Sequence, residues 1–520
     1  MQYVASEFLP HQASVPIPKG RVRLRVTAIA ALVAAAYVLF WALGMASYHL
    51  APPLDSAEQL VWSYALEGGY WKHPPLSTWL MHPLVEVFGP SVTLTLVVAQ
   101  LCAGVALLLM WRLGCEFMGA RRSFVAAALT ALIGYHGWGG ETYNHNSALL
   151  PFQAASTLCF YLAVRRGHWY LWALTGLCAG LFMLVKYVAV IPLSALLLYL
   201  VLDRQARTRR TLAGLLIAAA VAALVFSPHL VWLQAHDYST LKYASALAVR
   251  SPSMAAWARN LASFGLAQLP ALAPLVLVLA WMVITRARSL EPDQEALPHS
   301  DRLFLWTVGL APLFLVVLWG AATRCEVLPR WGYNVFLLAG WLVLDALRWP
   351  DKRLRDCLRV SLAVQVALFV VVVVILPRVA DWRQWQGRVN FPGEELARDA
   401  ETTWRAHTGQ PLRLVVSDTW LAGTIAAFHG QPLAVLADGV FSHAPWVSAE
   451  EVSSCGALVV QAHAVDGEEP DVSQWMRQAP IRGEWTVAWA PWRGWQPPDH
   501  RETRIAWGII PPESGAHCVK

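Results

Sequence analysis

Eleven apolar runs divide the first 377 residues of this chain, and they constrain its fold more than any motif does. They lie near 27–48, 91–111, 123–140, 147–164, 169–185, 187–202, 211–231, 263–285, 303–322, 333–347 and 358–377. A helix rises about 1.5 Å per residue and a bilayer core is about 30 Å thick, so these runs read as membrane-crossing helices. Composition agrees, since 57% of the 520 residues are hydrophobic and 14% charged, where soluble domains carry about 25% charged residues. The first run exceeds the roughly 7 to 15 apolar residues of a signal peptide and leads into Pro52-Pro53 with no small-residue cleavage site, so it reads as a retained helix.

Lys and Arg set the orientation, because they favour the cytoplasmic side of short loops. With the N-terminus inside, the arm 1–26, Arg112 to Arg122, Arg165-Arg166, DRQARTRR at 203–210, Arg286 to Arg302 and RWPDKRLRDCLR at 348–359 hold 21 of the 28 basic residues before position 378. The stretch 169–202 has basic clusters at both ends and a single charge, Lys186. Two short spans turning at Lys186 keep both clusters inside and place Lys186 at the outer surface. Seven basic residues are then outside: Lys72, Lys186, Lys242, Arg250, Arg259, Arg324 and Arg330. Singly each reads equally well as an ordinary loop charge; together they suit an anionic head group such as a phosphate. From residue 378 onward 12 basic residues face 17 acidic ones, which marks off a mildly acidic soluble domain. The basic residues form short clusters and no continuous face, which argues against nucleic acid as a partner.

The outer loop 51–90 begins APPLDSAEQLVWSYALEGGYWKHPPLSTWL and gathers Asp55, Glu58, Glu67, Lys72 and His73 beside a membrane surface. Ionisable groups held there pair, line a wet cavity or do chemistry. Asp55 and Glu58 open an expected helix at i, i+3 spacing, which fits a capping box with Asp55 as cap and equally fits two carboxylates on one helical face. Glu141 lies in HGWGGETYNHNSALLP with no basic neighbour in sequence. Gly137, Gly139 and Gly140 would let the backbone approach a ligand, and Asn144, His145 and Asn146 offer hydrogen bonds; a polar turn with His145 capping the next helix is the plainer alternative.

The soluble part, about 380–520, reads as a small α/β domain, with LRLVVSD and GALVVQAHA as strands and TWLAGTIAAFHG as a short helix. Eleven of the 27 Trp fall here, many in EWTVAWAPWRGWQPP, where a Trp-rich core or membrane-interface contact competes with sugar stacking. Cys455 and Cys518 share this domain, where a disulfide can form, whereas Cys102, Cys115, Cys159, Cys178 and Cys357 fall in or beside spans and read as small apolar residues.

In order along the chain, PLDSAEQLVW, GYWKHPPLSTWL, ETYNHNSALLPF, GLCAGLFMLVKYVAV and LRLVVSDTWLAGTIAAFHGQPL resemble glycosyltransferase family 39. These are C-type (GT-C) membrane enzymes that include protein O-mannosyltransferases and the aminoarabinose transferase of lipid A. The resemblance implies a polytopic α-helical membrane protein with about 11 transmembrane helices, its N-terminus inside, and a C-terminal extracytoplasmic α/β domain. It implies transfer of a sugar, usually with inversion, from a polyprenyl (undecaprenyl) phosphate donor to a hydroxyl at the outer membrane surface. The family's first-loop carboxylate falls on Asp55, the expected base, and its second acidic position on Glu141. Its lysine before the Pro-Pro pair falls on Lys72, and the lysine of its L-x-K motif on Lys186. Many relatives have adjacent Asp-Glu where this chain has Asp55-Ser56-Ala57-Glu58, which leaves Glu58 less fixed in role.

Inverting transfer needs a carboxylate to accept the acceptor's proton and cations to stabilise the departing phosphate. Lys72, Lys186, Arg250 and Arg330, with Lys242 behind them, are the candidates for the phosphate, and His73, Asn144, His145 and Tyr187 for the substrate. No cofactor is expected. A divalent metal is the disfavoured alternative, because His49, Asp55, His73 and His145 show no recognised zinc spacing. A transporter or flippase would instead place charges within spans and show inverted repeats, and a receptor-like membrane protein would not need these groups on one side. The expected location is a bacterial inner membrane with the site facing the periplasm; the sugar and the acceptor, whether lipid A, another glycan or protein, are not legible.

Overall fold

The computed structural model describes residues 20–285, 296–462, 472–489 and 502–513. Where no water is at hand a helix satisfies its own backbone, and each apolar run holds one. Among the described residues seven are long and apolar enough to cross a membrane: Arg25–Ala46, Val92–Gly114, His145–Arg166, Arg209–Ala235, Met254–Ile284, His299–Thr323 and Asp351–Trp382. The 169–202 stretch forms two shorter apolar helices, Trp169–Val185 and Tyr187–Leu202, parted by the extended backbone of Lys186.

The expectation of eleven full spans needs correction at two places. The α-helices of runs 123–140 and 333–347 are Ala120–Thr130 and Ala339–Leu347, of 11 and 9 residues, about half the length a 30 Å core requires. The first ends at Thr130, ahead of the turns of HGWGGET, where the Gln100 amide donates to the carbonyls of Gly137 and Gly140 at 3.0 and 2.9 Å. The two half-length helices pack on each other so closely that a Cβ at Gly340 would sit 1.9 Å from the Ala126 carbonyl oxygen. The last membrane helix runs on to Trp382, past the expected boundary at 378. Its segment Val370–Ile375 is π-helical, as suits a stretch just before Pro377, which has no N–H for the ladder.

The C-terminal domain carries a five-stranded sheet: β1 Leu414–Ser417, β2 Ala434–Ala437, β3 Ala457–Ala462, β4 Ile481–Ala488 and β5 Glu502–Ile510, in the order β2-β1-β3-β5-β4. Strands β1, β2 and β3 are parallel, with Val415 between Val435 and Leu458, while β5 and β4 add antiparallel. The interior strand β1 is buried on both faces, which is why LVVS reads as a continuous apolar run. Helix Thr419–His429 follows β1, as TWLAGTIAAFHG predicts, and Asp418 caps it by accepting from the N–H groups of Trp420 and Leu421. Of the Trp-rich run, Trp485 is core and donates to Thr403 at 2.9 Å; residues 490–501 lie outside the described residues. Cys455 is disulfide-bonded, and Cys518 lies outside the described residues.

This domain seats directly on the loop that begins at Ala51. Trp420 Nε1 donates to the Pro52 carbonyl at 2.9 Å and Leu50 N to the Val389 carbonyl at 2.7 Å. Gly423 lets helix Thr419–His429 lie against helix Leu54–Trp62, since a Cβ there would meet the Ala57 carbonyl oxygen at 2.6 Å. The carboxyl ends of β1 and β2, where open α/β sheets collect ligands, therefore face the loop that carries Asp55 and Glu58.

Candidate active site

Pro52-Pro53 stiffens the chain before helix Leu54–Trp62, and Pro53 is the cap residue, making no side-chain cap hydrogen bond. Asp55 therefore lies inside the first turn and is no cap, which removes the capping-box alternative and leaves both carboxylates to other partners. Asp55 accepts a hydrogen bond from Asn144 Nδ2 at 2.8 Å. Glu58, three residues on, accepts from Lys72 Nζ at 2.5 Å. One helix thus sends two carboxylates to two different partners.

Asn144, not His145, caps helix His145–Arg166, accepting from the N–H groups of Asn146 and Ser147 through its oxygen. That commitment orients its amide nitrogen toward Asp55. The following Asn146 accepts from Lys186 Nζ at 2.7 Å. Burial, and after it the charge of Arg330, pulls Lys186 down to about 8, with Asp55 pushing the other way. Arg330 is exposed on the turn Pro329–Asn334, and its charge also bears on His73.

The Lys72 side is different. Its ammonium stands 4.6 Å over the Trp71 ring and 6.0 Å from the Tyr243 ring centre. Burial lowers it, but the Glu58 carboxylate, joined by Tyr243 and Asp438, raises it on balance. Burial in turn pushes Glu58 up to about 7 against the pull of Lys72. His73 lies against His145 with ring centres 3.7 Å apart; burial first, then His145 and the cations Lys186, Lys72 and Arg330, hold His73 well below its usual range and keep it neutral.

Glu141 borders the site with 43% of its side chain exposed, and its oxygen lies 3.6 Å from Nε2 of the sealed His49. Burial raises Glu141 and lowers His49 to about 4. His49 Nδ1 meets the Met45 carbonyl at 2.9 Å, so the neutral ring has its proton on Nδ1 and turns a lone pair toward Glu141. The expectation that Gly137, Gly139 and Gly140 admit a ligand is corrected. They admit protein, a Cβ at Gly137 falling 2.2 Å from the Tyr37 hydroxyl and one at Gly140 2.9 Å from the Gln100 amide.

Three expected site residues stand apart. Lys242, on helix Ser239–Ala246, forms an ion pair with Asp237 of the preceding turn in which both side chains are largely exposed. Arg250 is exposed in an isolated antiparallel bridge with Cys325, and its guanidinium makes no hydrogen bond or ion pair among the described residues. Tyr187 spends its hydroxyl on His229 and Thr240, both at 2.7 Å, while His229 also holds the Gly68 carbonyl; it ties the first loop to two helices. Of the metal-ligating side chains, His49 turns to Glu141, Asp55 to Asn144 and His73 to His145. The sequence reading missed residues that the C-terminal domain contributes, Asp438 and His443, some 370 positions from Lys72, and no local pattern announces them.

Residues 72–232 match the family model described as dolichyl-phosphate-mannose-protein mannosyltransferase. Among curated proteins the chain is 26% identical over 329 residues to the lipid A galacturonosyltransferase RgtD of Rhizobium johnstonii, covering 59% of this chain and 63% of that protein. It is 26% identical over 390 residues to the lipopolysaccharide core galacturonosyltransferase RgtA of the same organism, covering 72% and 74%. The match thus spans just under two thirds of the length of RgtD. Among solved structures the crystal structure of ArnT from Cupriavidus metallidurans bound to undecaprenyl phosphate superposes with a TM-score of 0.57 over 94% of this chain and 98% of that one, at 14% identity, which is a likeness of fold. Residues 72–232 thus match that family model, within a chain that has the fold of the ArnT structure.

Proposed function

We propose that this integral membrane protein is an inverting glycosyltransferase that moves a sugar from a polyprenyl phosphate to a hydroxyl of an extracytoplasmic acceptor. The observation that carries this reading is the divergence of Asp55 and Glu58 from one helix. Asp55 accepts from the neutral amide of Asn144, while the charges of Lys186, Lys72 and Arg330 all bear on His73 and offer counter-charge for a phosphate. In the step, the acceptor oxygen attacks the anomeric carbon and gives its proton to Asp55. The bond from that carbon to the phosphate oxygen breaks on the opposite face, and the phosphate leaves with the electron pair onto the cations. Glu141 and the neutral His73, Asn144 and His145 border the space for sugar and acceptor.

The relatives' names point to lipid A or lipopolysaccharide core as acceptors to test first, with a galacturonosyl donor; the undecaprenyl phosphate in the ArnT structure points to that lipid as the carrier to test. The basic-loop pattern supports a bacterial inner membrane with the site facing the periplasm. Mass spectrometry of envelope glycolipids and glycoproteins with and without the gene should show one sugar residue lost from one acceptor class. Purified protein in detergent should then form that product from the lipid-linked sugar. A flippase would form none without a bilayer to cross, and that result would overturn the reading.

A further inference from the structure

The carboxyl end of β2 reaches the donor side of the site. Asp438 follows β2 with φ +58°, and its N–H bonds back to the Ser417 carbonyl at 2.8 Å. Its carboxylate takes the Thr419 N–H at 3.2 Å and His443 Nδ1 at 3.0 Å. The imidazole of His443 so fixed lies flat on the indole of Trp71, with ring centres 3.8 Å apart and planes 3° from parallel. On the next residue, the Lys72 ammonium stands 4.6 Å over that same indole. Burial would raise the Asp438 carboxyl, but the His443 contact and the charges of His443 and Lys72 hold it below its ordinary value, so it is an anion in the same field as Lys72 and Glu58.

We propose that Asp438 and His443 of the C-terminal domain are positioning residues for Lys72, clamping Trp71 so that the lysine is presented to the donor's phosphate. The clamp rests on the donor site proposed above. Its physical basis is that an ammonium on a four-carbon stem is a mobile point charge. The indole face attracts it but guides it only if the indole is held, and an offset or stacked ring partner anchored by a carboxylate does that. The Lys72 carboxylate partner Glu58 comes from helix Leu54–Trp62, against which the same domain packs, so domain seating sets both contacts of the lysine.

The test measures undecaprenyl phosphate binding and steady-state kinetics on the full-length protein. His443→Ala should weaken binding and raise donor KM by roughly two- to tenfold, the scale of a ring or cation–ring contact, with kcat little changed. The double variant His443→Phe, Asp438→Asn keeps a flat ring on Trp71 without its anchor and strands no carboxylate, so it should bind more tightly than His443→Ala and more weakly than the unmodified protein. Wild-type binding by His443→Ala, or binding by the double variant no tighter than by His443→Ala, would each overturn the clamp. Lys72→Ala measured alongside separates the two ideas. Unchanged binding there removes Lys72 from the donor site, whereas loss there with none in His443→Ala removes only the clamp.

Discussion

The two walls of the site start from one helix and end differently. On the wall formed by helix His145–Arg166, Asp55 meets an amide nitrogen and Lys186 an amide oxygen, so neither charge is cancelled by a hydrogen-bonded opposite. On the wall completed by the C-terminal domain, Glu58 and Lys72 hold each other at 2.5 Å, and Trp71, His443 and Asp438 hold Lys72 in turn. Neutral partners orient a group while leaving its chemistry available; a charged partner fixes it and lowers its net field. The first wall is thus suited to proton transfer and to attracting an anion, the second to geometry.

The largest effect should come from the uncancelled carboxylate. Asp55→Asn retains an acceptor but cannot take a proton, so transfer should fall by about 10²- to 10⁴-fold, the usual worth of a general base, with undecaprenyl phosphate binding intact. Near-normal turnover by the purified variant would end the case for Asp55 as base. Binding would then be expected to divide the walls: Lys186→Ala should weaken undecaprenyl phosphate by about ten- to a hundredfold, the loss of a charge-assisted contact, and Lys72→Ala by less, because Glu58 already compensates Lys72. Equal losses would erase the distinction.

Proton titration sharpens it further. A lysine is charged below its pKa, and Lys186 is held near about 8, so phosphate affinity should fall as pH rises from about 7 to about 9, and Lys186→Arg, charged throughout, should flatten that fall. A profile unchanged by the arginine would assign the titration elsewhere. The smallest effect belongs to Glu58, a carboxylate raised to about 7 by burial. Above that pH it is an anion beside Lys72, so Glu58→Gln should tighten phosphate binding a few-fold at pH 8 by ordinary ion-pair magnitudes and leave it unaltered at pH 6. Weaker binding at pH 8 would mean that Glu58 matters for holding Lys72 in place more than for cancelling its charge.

What the sequence alone determined is what depends on local chemistry. Apolar runs dictate helices because a bilayer offers the backbone no other partner, so nine of the eleven runs could be placed without coordinates, and the single charge at Lys186 marked the break between two of them. LVVS and TWLAGTIAAFH likewise declared a buried strand and the helix after it. Asp55, Lys72, Lys186, Asn144 and Arg330 could be singled out because charges and amides beside a membrane demand partners. Tertiary structure decided which partners. It made Pro53 the cap in place of Asp55, gave Asn144 the cap expected of His145, drew Lys242 to Asp237 at the surface and tied Tyr187 to His229. It also halved two expected spans where glycines pack against neighbours that no local pattern reveals. Above all it brought Asp438 and His443 to Trp71, because contacts between residues hundreds of positions apart are fixed by how the domain seats on the loop, through Gly423 on Ala57 and Trp420 on Pro52, and that fit of surfaces is written in no single stretch of chain.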